Sequence, residues 1–204
     1  MTEHRYSMSF TTGALLYPES LTVARLIQET GDWDRVRERV IAGNLLQMRT
    51  LNASKRVYRE IASRLKRLTA AERALFLDGT RREQIHILWL AVCKRYRFIH
   101  DFAVEVVREK FLRLDFDLGY DDYDIFFSNK AEWHPEVAGV AESTRKKQRQ
   151  FIFKMMREAE LLTQEGQIAP AMLTPREIET IAAGSPAYLA VFPMSPTDLE
   201  EWLS

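Results

Sequence analysis

Apolar residues recur along most of this chain at intervals of three and four, the spacing of one face of an α-helix, and only one short run suggests a strand. Leu21, Ala24, Leu26 and Ile27 predict a first amphipathic helix, opened at Pro18 and closed near Gly31. Trp33, Val36, Val40 and Ile41 predict a second, capped by Asp32 and stopped near Gly43. A third, over 52–68, carries Ala53, Val57, Ile61, Leu65 and Leu68 on one side, with Asn52 or Ser54 as its cap. Thr69 with Glu72, Thr80 with Glu83 and Thr174 with Glu177 each have the form of a capping box, where hydroxyl and carboxylate satisfy free backbone N–H groups at a helix start.

Further along, Phe98, Phe102, Val106 and Leu112 continue helically to about 114. A short helix over 123–127 and a single turn over 135–140 follow. A longer helix runs over 144–162, capped by Ser143 or Thr144. Residues 168–173 read as a short strand, and Ser195 with Pro196 opens a last helix ending at Trp202. These elements make an all-α, compact multi-helix fold with helix-turn-helix-like parts and one small wing strand or hairpin near 161–173. The turn-rich acidic loop around Gly119 divides the chain into an N-terminal helical part, 1–114, and a C-terminal, winged-helix-like part, 115–204, within one compact unit.

Composition agrees with the periodicity. Hydrophobic residues make up 46% of the chain, enough for a real core, and only 8 of 204 residues are glycine. Trp89, Leu90, Cys93, Phe98 and Phe102 lie in the densest apolar stretch and are expected to be buried. Cys93 is the single cysteine, which points to an inert buried thiol and a reducing cytoplasm. The N-terminus has no basic and apolar regions of signal-peptide type. No apolar run approaches the ~18 residues of a membrane span.

Charge changes the picture more. The net charge is zero, but the signs are segregated. Between 49 and 67, seven basic residues face Glu60 alone; between 145 and 157 there are six and no acid. On the helix over 52–68, Lys55, Arg56, Arg59 and Lys66 fall opposite the apolar stripe. On the helix over 144–162, Lys146, Gln150, Lys154 and Arg157 line one side. Cations on an outward helix face can meet phosphates, and Gln150 adds a base-edge donor and acceptor. The helix at 33–41, its connection and the basic helix resemble a helix-turn-helix, with a connection long for that motif. The helix at 144–162, a glycine turn and a strand follow the order of a winged helix-turn-helix. Helices also carry Lys and Arg outward for solubility, and an acidic protein or an RNA would meet the same charge.

Nothing in the sequence argues for catalysis. The four histidines lack i, i+4 spacing, one cysteine cannot build a zinc site, and no phosphate-binding glycine loop or nucleophile elbow is present. The aspartates at 115, 117, 121, 122 and 124 resemble a calcium loop but lack its twelfth-position glutamate. No enzyme activity, metal or cofactor is therefore expected.

The blocks SMSFTTGALLYPES (7–20), WLAVCKRYRF (89–98), EVVREKFL (105–112), KAEWHP (130–135) and ESTRKKQRQ (142–150) resemble, in order, those of the BrxA family of bacteriophage exclusion (BREX) systems. The likeness covers almost the whole chain. It implies a compact all-helical, non-enzymatic component of a phage-defence locus, associated with helix-turn-helix elements, duplex DNA and the other BREX components. The alternatives are a protein-interaction subunit of the defence complex and a helical RNA-binding protein.

Overall fold

Helix boundaries in the chain follow largely from caps written into its sequence. The structure, a computed structural model, describes residues 5–10, 12 and 14–195. α1 (Tyr17–Thr30) carries Pro18 in its first turn and ends at Gly31, whose φ of 65° suits glycine. α2 (Trp33–Ala42) is capped by Asp32, whose carboxylate accepts from the backbone N–H groups of Asp34 and Arg35. α3 (Leu51–Leu65) is capped by Thr50, not by Asn52 or Ser54; the Thr50 hydroxyl accepts from Ala53 N–H, and Ser54 is buried inside the helix. α4 (Ala70–Asp78) and α5 (Arg81–Arg95) open with the two expected capping boxes.

The next stretch is interrupted where a single helix was expected. Tyr96 adopts an extended backbone, and α6 (Arg97–Phe102), a π-helical stretch Ala103–Arg108 and α7 (Glu109–Leu112) then run on without a break. α8 (Tyr120–Ala131) is longer than the expected 123–127, because Asp122 reaches back to the Gly119 N–H and starts the helix early. α9 (Pro135–Ala138) is one turn. α10 (Glu142–Glu158) begins after Ala141 with no side-chain cap, so Ser143 and Thr144 lie within it. α11 (Pro175–Gly184) opens with the third capping box, and a 3₁₀ stretch, Pro186–Val191, follows. The last expected helix lies almost wholly outside the described residues.

No strand forms among the described residues. The run 168–173 makes only isolated antiparallel bridges, Leu162 with Ile168 and Asp117 with Gln167, around a turn completed by Gly166 at φ 88°. Pro170 lacks an N–H, and Ala171 N–H turns to the Pro193 carbonyl, so pairing stops after Ala169. What remains is a small hairpin at 161–169, flanked by 116–118 through the Ile168 N–H to Phe116 carbonyl bond.

α5 is buried on all sides from Glu83 to Cys93 and packs against α3, α4, α6, α10 and the 3₁₀ stretch. Trp89, Leu90, Cys93, Phe98 and Phe102 are all buried, as expected. Phe98 touches Tyr6, Phe10, Tyr123, Phe126 and Phe127 with ring centroids 5.1–6.1 Å away, joining the N-terminal segment to α8. The three capping-box glutamates serve twice, since a buried carboxylate with spare lone pairs needs further donors. Glu72 also holds Lys94 at 2.6 Å, Glu83 accepts the Thr174 hydroxyl at 2.8 Å, and Glu177 pairs with His86 at 2.8 Å. Signals that start helices locally thus also brace α4, α5 and α11 together.

Burial pushes the Cys93 thiol well above its usual pKa. Native protein should therefore react with a thiol reagent at least ~100-fold more slowly than denatured protein, because labelling needs opening of the core. Rapid native labelling would contradict this packing.

Asp101 has a different balance. Burial raises its pKa, but donors from His100, Tyr6 and Arg97 outweigh that and hold it below the usual carboxylate value. A carboxylate depressed in the folded state stabilises the fold above its unfolded pKa, and the gain is lost as pH falls through the lower folded value. The stability gap between wild type and Asp101→Asn should be constant near neutrality and close below about pH 4. Urea midpoints across pH measure this, and a gap unchanged at low pH would refute it.

Candidate nucleic-acid interface

The buried side of α3 consists of Ser54, Val57, Tyr58, Ile61, Ala62, Arg64 and Leu65. Its outward side presents Lys55, Arg56, Arg59 and Lys66, all exposed, as expected from the sequence. None of these four has an ion-pairing carboxylate among the described residues; Lys66 instead sits over the Trp33 ring, 5.1 Å from its centroid.

One buried contact explains the lack of partners. Glu60, the single acid in this basic run, turns inward and takes Arg64 at 2.7 Å. Arg64 is only 1% exposed and also donates to the Ala14 carbonyl at 2.8 Å. The Tyr96 hydroxyl donates to both Glu60 oxygens, which with burial raises the tyrosine pKa. The acid and one base are thereby removed from the surface, leaving the outer cations unneutralised. A groove of about 330 Å³ runs between α2 and α3, where Arg37, Lys55, Arg59 and Lys66 stand against Asp34 alone. Arg37 was not singled out from the sequence; its position, one turn after Trp33 on the neighbouring helix, was the only signal.

The α10 face is built differently. Lys146, Gln150 and Lys154 are exposed, while Arg157 is half-buried and donates to the Thr163 carbonyl at 3.3 Å. Lys146 pairs with Glu142 at 2.8 Å and Lys154 with Glu158 at 3.7 Å. Arg145 and Arg149 turn sideways onto α8, where Asp124 takes both and the rings of Phe127 and Tyr120 stack on their guanidinium groups. Phe153 is buried beside them against Tyr120. Lys147 remains exposed and unpaired among the described residues.

The structure does not bring the two faces together. Arg64 Nη2 lies 4.0 Å from Met155 Sδ, so α3 and α10 approach through these side chains. The described residues of the N-terminal segment run between the helices: Gln148 donates to the Met8 carbonyl at 2.6 Å and Leu15 N–H to Glu158 at 2.6 Å. At about 100° per residue, Lys55, Arg59 and Lys66 span about 40° of α3, and Arg64 lies about 140–180° away from them. On α10 the same arithmetic places Lys146, Gln150 and Arg157 about 140–180° from Met155. Arg56 lies about 80° from Arg64 and Lys154 about 100° from Met155, at the edges of their faces; the centre of each face looks away from the other helix.

The acidic loop and its neighbours are engaged by the protein itself. Asp115 and Asp122 hold Lys110, Asp117 accepts from the Gln167 amide, and Asp124 holds its two arginines. Among the described residues, no three His, Cys, Asp or Glu side chains come together as a metal site would require. No helix among them is long and apolar enough to cross a membrane.

The family model for BrxA matches residues 4–185. This chain belongs to the BrxA family. It is 26% identical over 147 residues to the BREX protein BrxA of Escherichia coli O9:H4 (strain HS), covering 72% of this chain and 69% of that one. It is 27% identical over 157 residues to the BREX protein BrxA of Bacillus cereus (strain H3081.97), covering 77% and 78%. The fold is similar to the crystal structure of an uncharacterized protein from Magnetospirillum magneticum, with a TM-score of 0.80, 21% identity and coverage of 94% and 99%. That likeness speaks for the fold alone.

Proposed function

We propose that this BrxA-family chain is a non-enzymatic, DNA-binding accessory component of a BREX-type anti-phage system, contacting duplex DNA through α3 and α10. The observation that carries this reading is the α3 face: Lys55, Arg56, Arg59 and Lys66 are exposed and unneutralised. Surface cations kept only for solubility can be neutralised by nearby acids at no functional loss, whereas cations that bind phosphates must be available to release counterions. The order of elements around α10 supports the same reading. The stretch α6–α7, a short bridging segment, α8, the one-turn α9, α10 and a small hairpin follow one another; with α9 as an insertion in the turn, this is the order of a winged helix-turn-helix, with α10 in the place of the helix that enters the major groove. On this reading the division at the acidic loop separates a scaffold with its own basic helix, 1–114, from a winged-helix-like part, 115–204. The protein would work in the cytoplasm beside other components of a BREX system.

Gel shifts of purified protein with duplex DNA, with RNA of equal length and with an acidic protein competitor test the reading across salt. Duplex binding should weaken linearly on a log–log scale, by about 0.9 for each phosphate neutralised. Preference for RNA would move the helical RNA-binding alternative to first place. Absence of any nucleic-acid binding at low salt would leave the basic faces to a protein partner of the defence complex.

A further inference from the structure

We infer that the two basic faces bind two separate duplex segments, so that one molecule bridges them. This rests on the DNA-binding reading and adds to it the number and arrangement of the ligands. The geometry is the argument. α3 and α10 meet through Arg64 and Met155, and Met8, Thr12, Ala14 and Leu15 of the N-terminal segment are each bonded to one of the two helices. Side chains that meet between two helices mark their facing sides, and the positions across each wheel look away from them. Lys55, Arg59 and Lys66 lie about 140–180° from Arg64, with Arg56 nearer at about 80°, and Lys146, Gln150 and Arg157 lie about 140–180° from Met155, with Lys154 nearer at about 100°. The centres of the two faces therefore point outward on different sides of the body.

A chain of this length folds to a body roughly 40 Å across. Duplex DNA is stiff over about 50 nm, so one short duplex does not curl round such a body to touch both sides without large deformation. Two duplexes, each tangent to one face, need no bending at all. The faces are also unequal. The α3 cations have no carboxylate partner among the described residues, while Lys146 and Lys154 stand beside Glu142 and Glu158, whose charge opposes an approaching phosphate. One site is accordingly strong and the other weak, and bridging should be most sensitive to salt at the α10 side.

A capture assay tests this with one duplex of about 20 base pairs on beads and a second, fluorescent duplex in solution. Wild-type protein should retain the second duplex at low salt, and a large excess of protein should abolish retention by capping each duplex separately. Lys55→Glu/Arg59→Glu and Lys146→Glu/Gln150→Glu change exposed residues only, and unchanged thermal melts verify folding. Each variant should still bind a single duplex but lose at least about 90% of capture, and combining all four changes should remove single-duplex binding too. Capture that survives in either two-residue variant would overturn the inference, since it would arise from self-association around one face. So would wild-type protein that binds one duplex and never retains a second. Failure of the wild type to bind even one duplex at low salt would instead defeat the DNA-binding reading itself, and the bridge with it.

Discussion

Lys55→Glu/Arg59→Glu protein should bind its tightest duplex on the order of 10²-fold more weakly at about 0.1 M salt, with a log–log salt slope flatter by about two. The size follows from two lost charge-assisted contacts at about 1.5 kcal/mol each, which together make roughly a hundredfold change. Weakening should be the same for unrelated sequences, because phosphate contacts carry no base identity. Residual binding should reside on α10, whose Lys146 and Lys154 already hold carboxylates and so give a weaker site. Fluorescence anisotropy across a salt series measures both quantities. If the variant folds normally and binds with unchanged affinity and slope, α3 is not a phosphate-binding face and the protein-interaction reading takes first place.

Arg64→Ala should be among the most destabilising substitutions of a charged residue in this chain, at about 3–5 kcal/mol, lowering the melting temperature by roughly 6–20 °C. The side chain is fully buried, and its loss leaves Glu60 with the Tyr96 hydroxyl but no cation, and the Ala14 carbonyl without its donor. The N-terminal segment would loosen between α3 and α10 at the same time. Arg67→Ala is the control: its side chain is exposed, it lies in the same basic run, and it should cost no more than about 0.5 kcal/mol. Urea denaturation of both variants decides the matter. Equal stabilities would mean that the Arg64 contacts contribute nothing net.

The two arginines also mark how far the sequence could be read. Both belong to one basic run, and charge counting treats them alike. The period of α3 held the distinction, since Arg64 falls seven residues after Val57 and three after Ile61, on the apolar side. A buried arginine is rare enough that pattern reading passes over it. The acid that makes its burial tolerable, Glu60, is local at i and i+4; the carbonyls that complete it come from residues 12 and 14, which no local rule connects to position 64. Likewise the helix over 144–162 reads as one basic surface, yet Asp124 withdraws Arg145 and Arg149 from it.

By itself, the sequence determined the helical class, the starts at Asp32, Thr69, Thr80 and Thr174, the buried centre from Trp89 to Phe102 and the outward α3 cations. These depend on hydrogen bonds and periodicities spanning a few residues, where chemistry and spacing are both visible in the chain. Tertiary structure alone decided the rest. It reduced the 168–173 run to a hairpin remnant when Ala171 found Pro193, gave each capping glutamate a second partner on another helix, and buried Arg64 under the N-terminal segment. It also turned the two basic faces away from each other, because their directions depend on which sides of α3 and α10 meet, a contact between residues about ninety positions apart.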